Sequence, residues 1–138
     1  MPNQLIDSFG RVHTYLRISV TDRCNLRCRY CMPLDGLKWK QKDELLSFEE
    51  IEKLTKILAA MGINKVRLTG GEPLMRQELV KLVTKLKAIP GIETLAMTTN
   101  ATLLARQARA LKEAGMNALN ISLDSFKRQR FNDITRLD

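Results

Sequence analysis

No apolar run in this sequence approaches the roughly 20 residues that cross a bilayer as a helix. The start, MPNQLIDSFGRVH, also lacks the charged beginning and apolar stretch of a secretory signal. A cytoplasmic location with no membrane partner is therefore expected. Aromatic residues are few, at 5%, and the 23 Lys and Arg residues are scattered rather than gathered in blocks. That pattern argues against a nucleic-acid stripe, although the formal net charge is +8. The surplus suits a small acidic partner such as a nucleotide, or serves solubility. Flexible linkers and low-complexity segments are absent, and 138 residues suffice for one domain. Histidine occurs once, at His13, and all three cysteines fall within DRCNLRCRYCM at positions 22–32. An odd number of thiols cannot all pair, and disulfides do not persist in a reducing compartment.

What is present is an alternation of strand and helix patterns. Thr14 to Val20 alternates apolar and polar residues as a strand does. Ser47 with Glu50 three residues later predicts a capping box, opening a helix whose apolar face is Phe48, Ile51, Leu54, Leu58 and Met61 and which Gly62 ends. Lys65 to Thr69 reads as the second strand, broken by Gly70, Gly71 and Pro73. A helix with Leu79, Leu82, Val83 and Leu86 inward follows, closed by Pro90 and Gly91. Thr94 to Thr99 is the third strand. The next helix turns Leu104, Ala108 and Leu111 to the core and stops at Gly115. Ala118 to Leu123 is the fourth strand, with a helical tail expected from Phe126. A helix in every crossover predicts an α/β fold with about four parallel strands and helices on the outside. A doubly wound sheet and a (β/α) barrel both satisfy the pattern, and both bind ligands at the C-terminal strand ends. The cysteines, a Gly-Gly turn, TTN, and Ser122 with Asp124 all gather there. Since four strands cannot close such a barrel, the front portion of a longer domain is expected. A free fourth edge would also favour association into a homodimer.

Cys24, Cys28 and Cys31 have the spacing C-x3-C-x2-C. A structural zinc site needs four ligands, and His13 is the only histidine available, at the far end of a strand. A small zinc-binding module with a basic surface and no enzymology is thus the alternative class. Thiolates equally suit an iron–sulfur cluster, in which a cubane held by three of them leaves one iron open for chemistry. Arg17 and Arg67 lie within strands one and two, where two guanidinium groups sharing a cavity would suit a triphosphate. The alternative for both is a solvated strand face. Met32, Met61, Met75 and Met97 read as packing residues, Trp39 as a lid element or an exposed side chain, and the KRQR run near the end as a solvated helix face.

With Tyr30 before the third cysteine, the cysteine spacing resembles the radical S-adenosylmethionine (SAM) signature. GGEP at Gly70–Pro73 resembles the second motif of that superfamily. YLRISVTDRCNLRCRYCMP, VRLTGGEPLMR, TTN and NISLDS together resemble the GTP 3′,8-cyclase family of molybdenum cofactor biosynthesis, from about Asp7 to the last residue. The resemblance implies the N-terminal part of an incomplete (β/α)6 radical SAM barrel. It implies a 4Fe–4S cluster on Cys24, Cys28 and Cys31, and SAM binding at Tyr30, Gly71, Glu72 and Ser122, with Glu72 also supporting the turn and adding negative charge. It also implies GTP contacts at Arg17, Arg67 and Thr98. The implied chemistry is reductive cleavage of SAM to a 5′-deoxyadenosyl radical, hydrogen abstraction at the ribose C3′ of GTP, and attack on guanine C8 to give (8S)-3′,8-cyclo-7,8-dihydroguanosine 5′-triphosphate. An electron donor is implied as partner. Residues 1–138 would form a partial radical SAM core domain, without the later barrel half and its second cluster. The expectation is that they do not complete the cyclisation alone. Ala101 stands where the family's TTNG has glycine. Alanine tolerates positive φ poorly, so an altered turn is expected there.

Overall fold

The computed structural model describes residues 4–137. Four parallel strands, β1 (Tyr15–Ser19), β2 (Lys65–Thr69), β3 (Thr94–Thr99) and β4 (Ala118–Ile121), lie across one sheet in chain order. Helices α1 (Phe48–Ala60), α2 (Leu79–Lys87) and α3 (Leu104–Glu113) form the crossovers, and α4 (Arg128–Thr135) follows β4. The unreversed strand order decides the architecture. Right-handed crossovers that keep stepping in one direction put every helix on the same face, whereas a doubly wound sheet needs the order to reverse. This sheet is therefore covered on one side only, as a partial barrel is.

Burial follows that asymmetry. Val66, Leu68, Leu95 and Met97 point from β2 and β3 into a core shared with Ile51 of α1, Leu79, Leu82, Val83 and Leu86 of α2, and Leu111 of α3. Each such side chain removed from water contributes about 1.5–3 kcal/mol. The opposite face carries Tyr15, Arg17, Lys65, Arg67, Thr98 and Asn120, with Arg17 in register with Arg67 and Thr98 with Asn120. The alternation that buries one set of residues thus lines the open face with polar groups.

Several local expectations need correction. In α1 the buried face is Ile51 and Thr55, while Leu54 is 46% exposed. A threonine fits this core position because its Oγ1 donates to the Ile51 carbonyl at 2.7 Å. The Ser47–Glu50 capping box is present as read. Ala108 is exposed, because it borders a groove between α3 and β4 that no described element fills. β4 ends at Ile121, and α4 begins at Arg128, leaving Phe126 outside it and 98% exposed. Met32 and Met97 are core residues, but Met75 is 37% exposed. Trp39 lies beneath the Arg27 guanidinium, 5.3 Å from ring centroid to Cζ. Ala101 adopts φ +62°, so the left-handed turn after β3 is kept despite the missing glycine. Among the described residues no helix is long and apolar enough to cross a membrane, and the outer edge of β4 pairs with no other strand.

Candidate active site

The loop carrying the cysteines leaves the end of β1 and is pinned from three directions. On the β2 side, Gly71 N–H donates to the Thr21 carbonyl at 2.8 Å and Glu72 N–H to the Arg23 carbonyl at 2.7 Å. These bonds extend the strand pairing past both strand ends. Gly71 must be glycine for this approach, since a Cβ would collide with the Arg23 carbonyl oxygen and lie 2.8 Å from that of Asp22. The intimate contact this glycine allows is with the cysteine loop itself. On the α4 side, Arg27 N–H and Arg29 N–H donate to the carbonyls of Thr135 and Ile134, each at 2.9 Å. Arg136 reaches back to the Arg27 and Met32 carbonyls. On the β3 side, Asn100 Nδ2 donates to Asn25 Oδ1 at 3.0 Å and lies 4.0 Å from Cys24 Sγ.

Glu72 supports its turn from a buried position. The side chain is 1% exposed. Its carboxylate accepts from Leu74 N–H at 3.1 Å, Thr99 Oγ1 at 2.6 Å and Asn100 N–H at 2.7 Å. All of these partners lie within the protein, so the carboxylate clamps the end of β2 to the end of β3. The two TTN residues that Glu72 grips include the one reaching the cysteine loop, and the turn motifs after β2 and β3 therefore act as one unit.

Cys24 and Cys28 are half-buried, Cys31 is exposed, and all are free thiols. Burial pushes the Cys24 thiol up, and the Glu72 carboxylate and the thiols of Cys28 and Cys31 add to this, against the opposing Leu26 N–H. Binding these cysteines as thiolates beside a buried carboxylate would require a cation to offset the charge. Among the described residues no three His, Cys, Asp or Glu side chains converge as a site for a single metal ion. His13 sits at the other end of β1, about 16 Å of strand away, 3.5 Å from Asp7. It therefore cannot complete a zinc shell with the cysteines. Three soft donors on one loop fit a cluster in which each thiolate takes a separate iron.

Tyr30, 71% exposed, crosses to the far side of the rim, where its hydroxyl donates to Asp124 Oδ2 at 3.3 Å. Partial desolvation of the hydroxyl, then the bond to that carboxylate, pushes its phenol well above the ordinary range. Ser122 is exposed one residue past β4, with its N–H donating to the Thr99 carbonyl at 2.9 Å. The rim thus collects Cys24, Cys28, Cys31, Tyr30, Gly71 and Ser122, and Glu72 lies beneath it.

Arg17, Arg67 and Thr98 lie on the open sheet face below the rim. Arg17 and Arg67 are in-register neighbours on adjacent strands, about 4.8 Å apart along the hydrogen-bonding direction. Among the described residues neither is in an ion pair with a carboxylate. Thr98 Oγ1 accepts from Arg67 Nη1 at 3.1 Å. Asn25, Tyr15 and Asn120 are absent from the residues singled out in the sequence, and Asn100 enters there only through the TTN motif. For Tyr15 and Asn120 the signal was available, since each lies two positions before a chosen residue, Arg17 or Ser122, and so on the same face.

Comparison with known proteins bears on this arrangement. The family described as "Radical SAM superfamily" matches residues 18–137. The chain is 53% identical over 133 residues to a GTP 3′,8-cyclase of Lactiplantibacillus plantarum, covering 96% of this chain and 40% of the relative. It is 56% identical over 132 residues to a GTP 3′,8-cyclase of Listeria welshimeri, again covering 96% and 40%. It therefore spans about two fifths of the length of these relatives. Among solved structures, Streptococcus suis SuiB bound to S-adenosylmethionine superposes with a TM-score of 0.65 at 18% identity, over 88% of this chain and 27% of that one. At that identity the likeness concerns the fold.

Proposed function

Because the chain belongs to the radical SAM superfamily, whose members use a 4Fe–4S cluster and SAM, we propose that it is the cluster-, SAM- and GTP-binding portion of a GTP 3′,8-cyclase. On this reading Cys24, Cys28 and Cys31 hold the cluster, and Tyr30, Gly71 and Ser122 border SAM. Arg17 and Arg67, with Thr98, receive the phosphates of GTP. When bound, the cluster and SAM supply a 5′-deoxyadenosyl radical, the oxidant for the ribose in forming (8S)-3′,8-cyclo-7,8-dihydroguanosine 5′-triphosphate for molybdenum cofactor biosynthesis. The chain's own residues place the reactants. The pinned cysteine loop fixes the rim, and the arginine face below sets the distance from phosphate anchor to reacting ribose.

The observation that carries the substrate half is the in-register pair Arg17 and Arg67. Like charges on directly neighbouring strand positions repel, and with neither ion-paired to a carboxylate among the described residues an anionic ligand relieves that repulsion. A triphosphate does so with geometry suited to guanidinium donors. We assign the chain to the cytoplasm with a separate one-electron donor, and treat residues 1–138 as a partial core that cleaves SAM without completing cyclisation. Anaerobic reconstitution with iron and sulfide tests this. The expected product is a brown protein with roughly four irons per chain that, once reduced, releases 5′-deoxyadenosine from SAM. A colourless chain retaining a single zinc refutes it.

A further inference from the structure

Three of the five N–H groups of the Arg67 guanidinium are engaged by protein. Its Nε–H donates to the Tyr15 hydroxyl at 2.6 Å. Its Nη1 donates both hydrogens, to Thr98 Oγ1 at 3.1 Å and to Asn120 Oδ1 at 2.6 Å. The remaining two N–H groups, both on Nη2, have no partner among the described residues. Each strand contributes to this belt: Tyr15 from β1, Arg67 from β2, Thr98 from β3 and Asn120 from β4. The Tyr15 ring is itself held under Lys65 Nζ, 5.1 Å from the ring centroid, so its hydroxyl is not a mobile acceptor. An arginine on an open sheet face ordinarily samples many rotamers, and ordering one costs conformational entropy. Here that ordering is built in before any ligand arrives.

We propose that Tyr15 and Asn120 are positioning residues that aim Nη2 of Arg67, whose neighbour in register is Arg17, at the phosphate chain of the bound nucleotide. The inference rests on the GTP reading above. With Nε and Nη1 engaged by protein, Arg67 cannot present the side-on fork of two nitrogens that usually grips a phosphate. It meets the anion end-on through Nη2, and Arg17, the neighbour in register, supplies the second guanidinium. Thr98 belongs to the same device, since its hydroxyl oxygen accepts from Arg67. Its effect on the nucleotide therefore passes at least partly through that arginine.

The test uses the 138-residue chain and equilibrium binding of GTP, guanosine and inorganic tripolyphosphate at fixed salt. Tyr15→Phe, which keeps the ring under Lys65, and Asn120→Leu are each expected to weaken GTP and tripolyphosphate about 5- to 10-fold and to leave guanosine unchanged. In an Arg67→Gln background, itself expected to weaken GTP at least 10-fold, neither change should cost anything further, because both act through Arg67. A ligand-free readout accompanies these. The Arg67 Nε–H should give a slowly exchanging side-chain resonance that Tyr15→Phe abolishes. Additive losses in the Arg67→Gln background, a fall in guanosine affinity, or an unprotected Nε–H in the parent chain each overturn the inference. An Arg67→Gln chain that binds GTP normally, or a parent chain that binds neither GTP nor tripolyphosphate, overturns the GTP reading and the inference with it.

Discussion

Replacing Glu72 with alanine separates a clamp from a ligand. The carboxylate is 1% exposed and satisfies Leu74 N–H, Thr99 Oγ1 and Asn100 N–H. Truncation strands two buried backbone donors, while the Thr99 hydroxyl can turn elsewhere. A buried donor left without its partner costs about 1–3 kcal/mol, and bonds to charged acceptors lie toward the upper end. With a side-chain-sized void added, a loss of roughly 3–5 kcal/mol follows, a large part of the 5–15 kcal/mol that holds a domain of this size together. The urea midpoint should fall by roughly 2–3 M, taking m at about 1.5 kcal/mol/M. Glu72→Gln keeps the shape. Its carbonyl can serve Asn100 while the amide donates to a rotated Thr99 hydroxyl, so only the Leu74 contact and the charge are lost. That predicts about 1–2 kcal/mol. Urea denaturation of parent and variants, with SAM binding measured on the folded fraction, checks the order Ala worse than Gln. A Glu72→Ala chain as stable as the parent but unable to bind SAM would refute the clamp and return Glu72 to the ligand shell.

Other consequences follow from single contacts. Ser47→Ala removes the cap of α1 and should cost about 1 kcal/mol in thermal or urea unfolding. The partner carboxyl, Glu50, is held below its ordinary value by the Ser47 backbone N–H and then its hydroxyl. A depressed carboxyl stabilises the fold above its unfolded value and ceases to as pH falls through its folded value. The stability gap between the parent and Glu50→Gln should therefore be full near neutrality and vanish in the acid range below pH 4.5. Ala101→Gly relieves a left-handed residue at φ +62°. The relief of about 1–2 kcal/mol exceeds the roughly 0.5–1 kcal/mol of added chain entropy, so this variant should melt slightly higher than the parent. Leu119 and Ile121 of the edge strand β4, and Leu123 just past it, are exposed. Sedimentation should show concentration-dependent association that Ile121→Lys reduces.

The sequence by itself determined the elements and the rim. Period-two and helical spacings, a capping box and glycine stops are local, so the strands and crossover helices are legible almost to their ends, and the cysteine, GGEP and TTN motifs declare that chemistry gathers at strand ends. Spacing could not tell on which side the helices lie, because that depends on strand order across the sheet. The unreversed order left one face bare, and only then did Arg17 and Arg67 become neighbours over an open surface. Nor could a motif reveal what its side chains touch. Glu72 reads as a charge near SAM, yet long-range folding turns its carboxylate inward onto Thr99 and Asn100. Tyr15 and Asn120 carry no motif at all. They matter because parallel pairing brings residues more than 50 positions from Arg67 into hydrogen-bonding reach of its guanidinium, and such distances are decided only when the sheet is assembled.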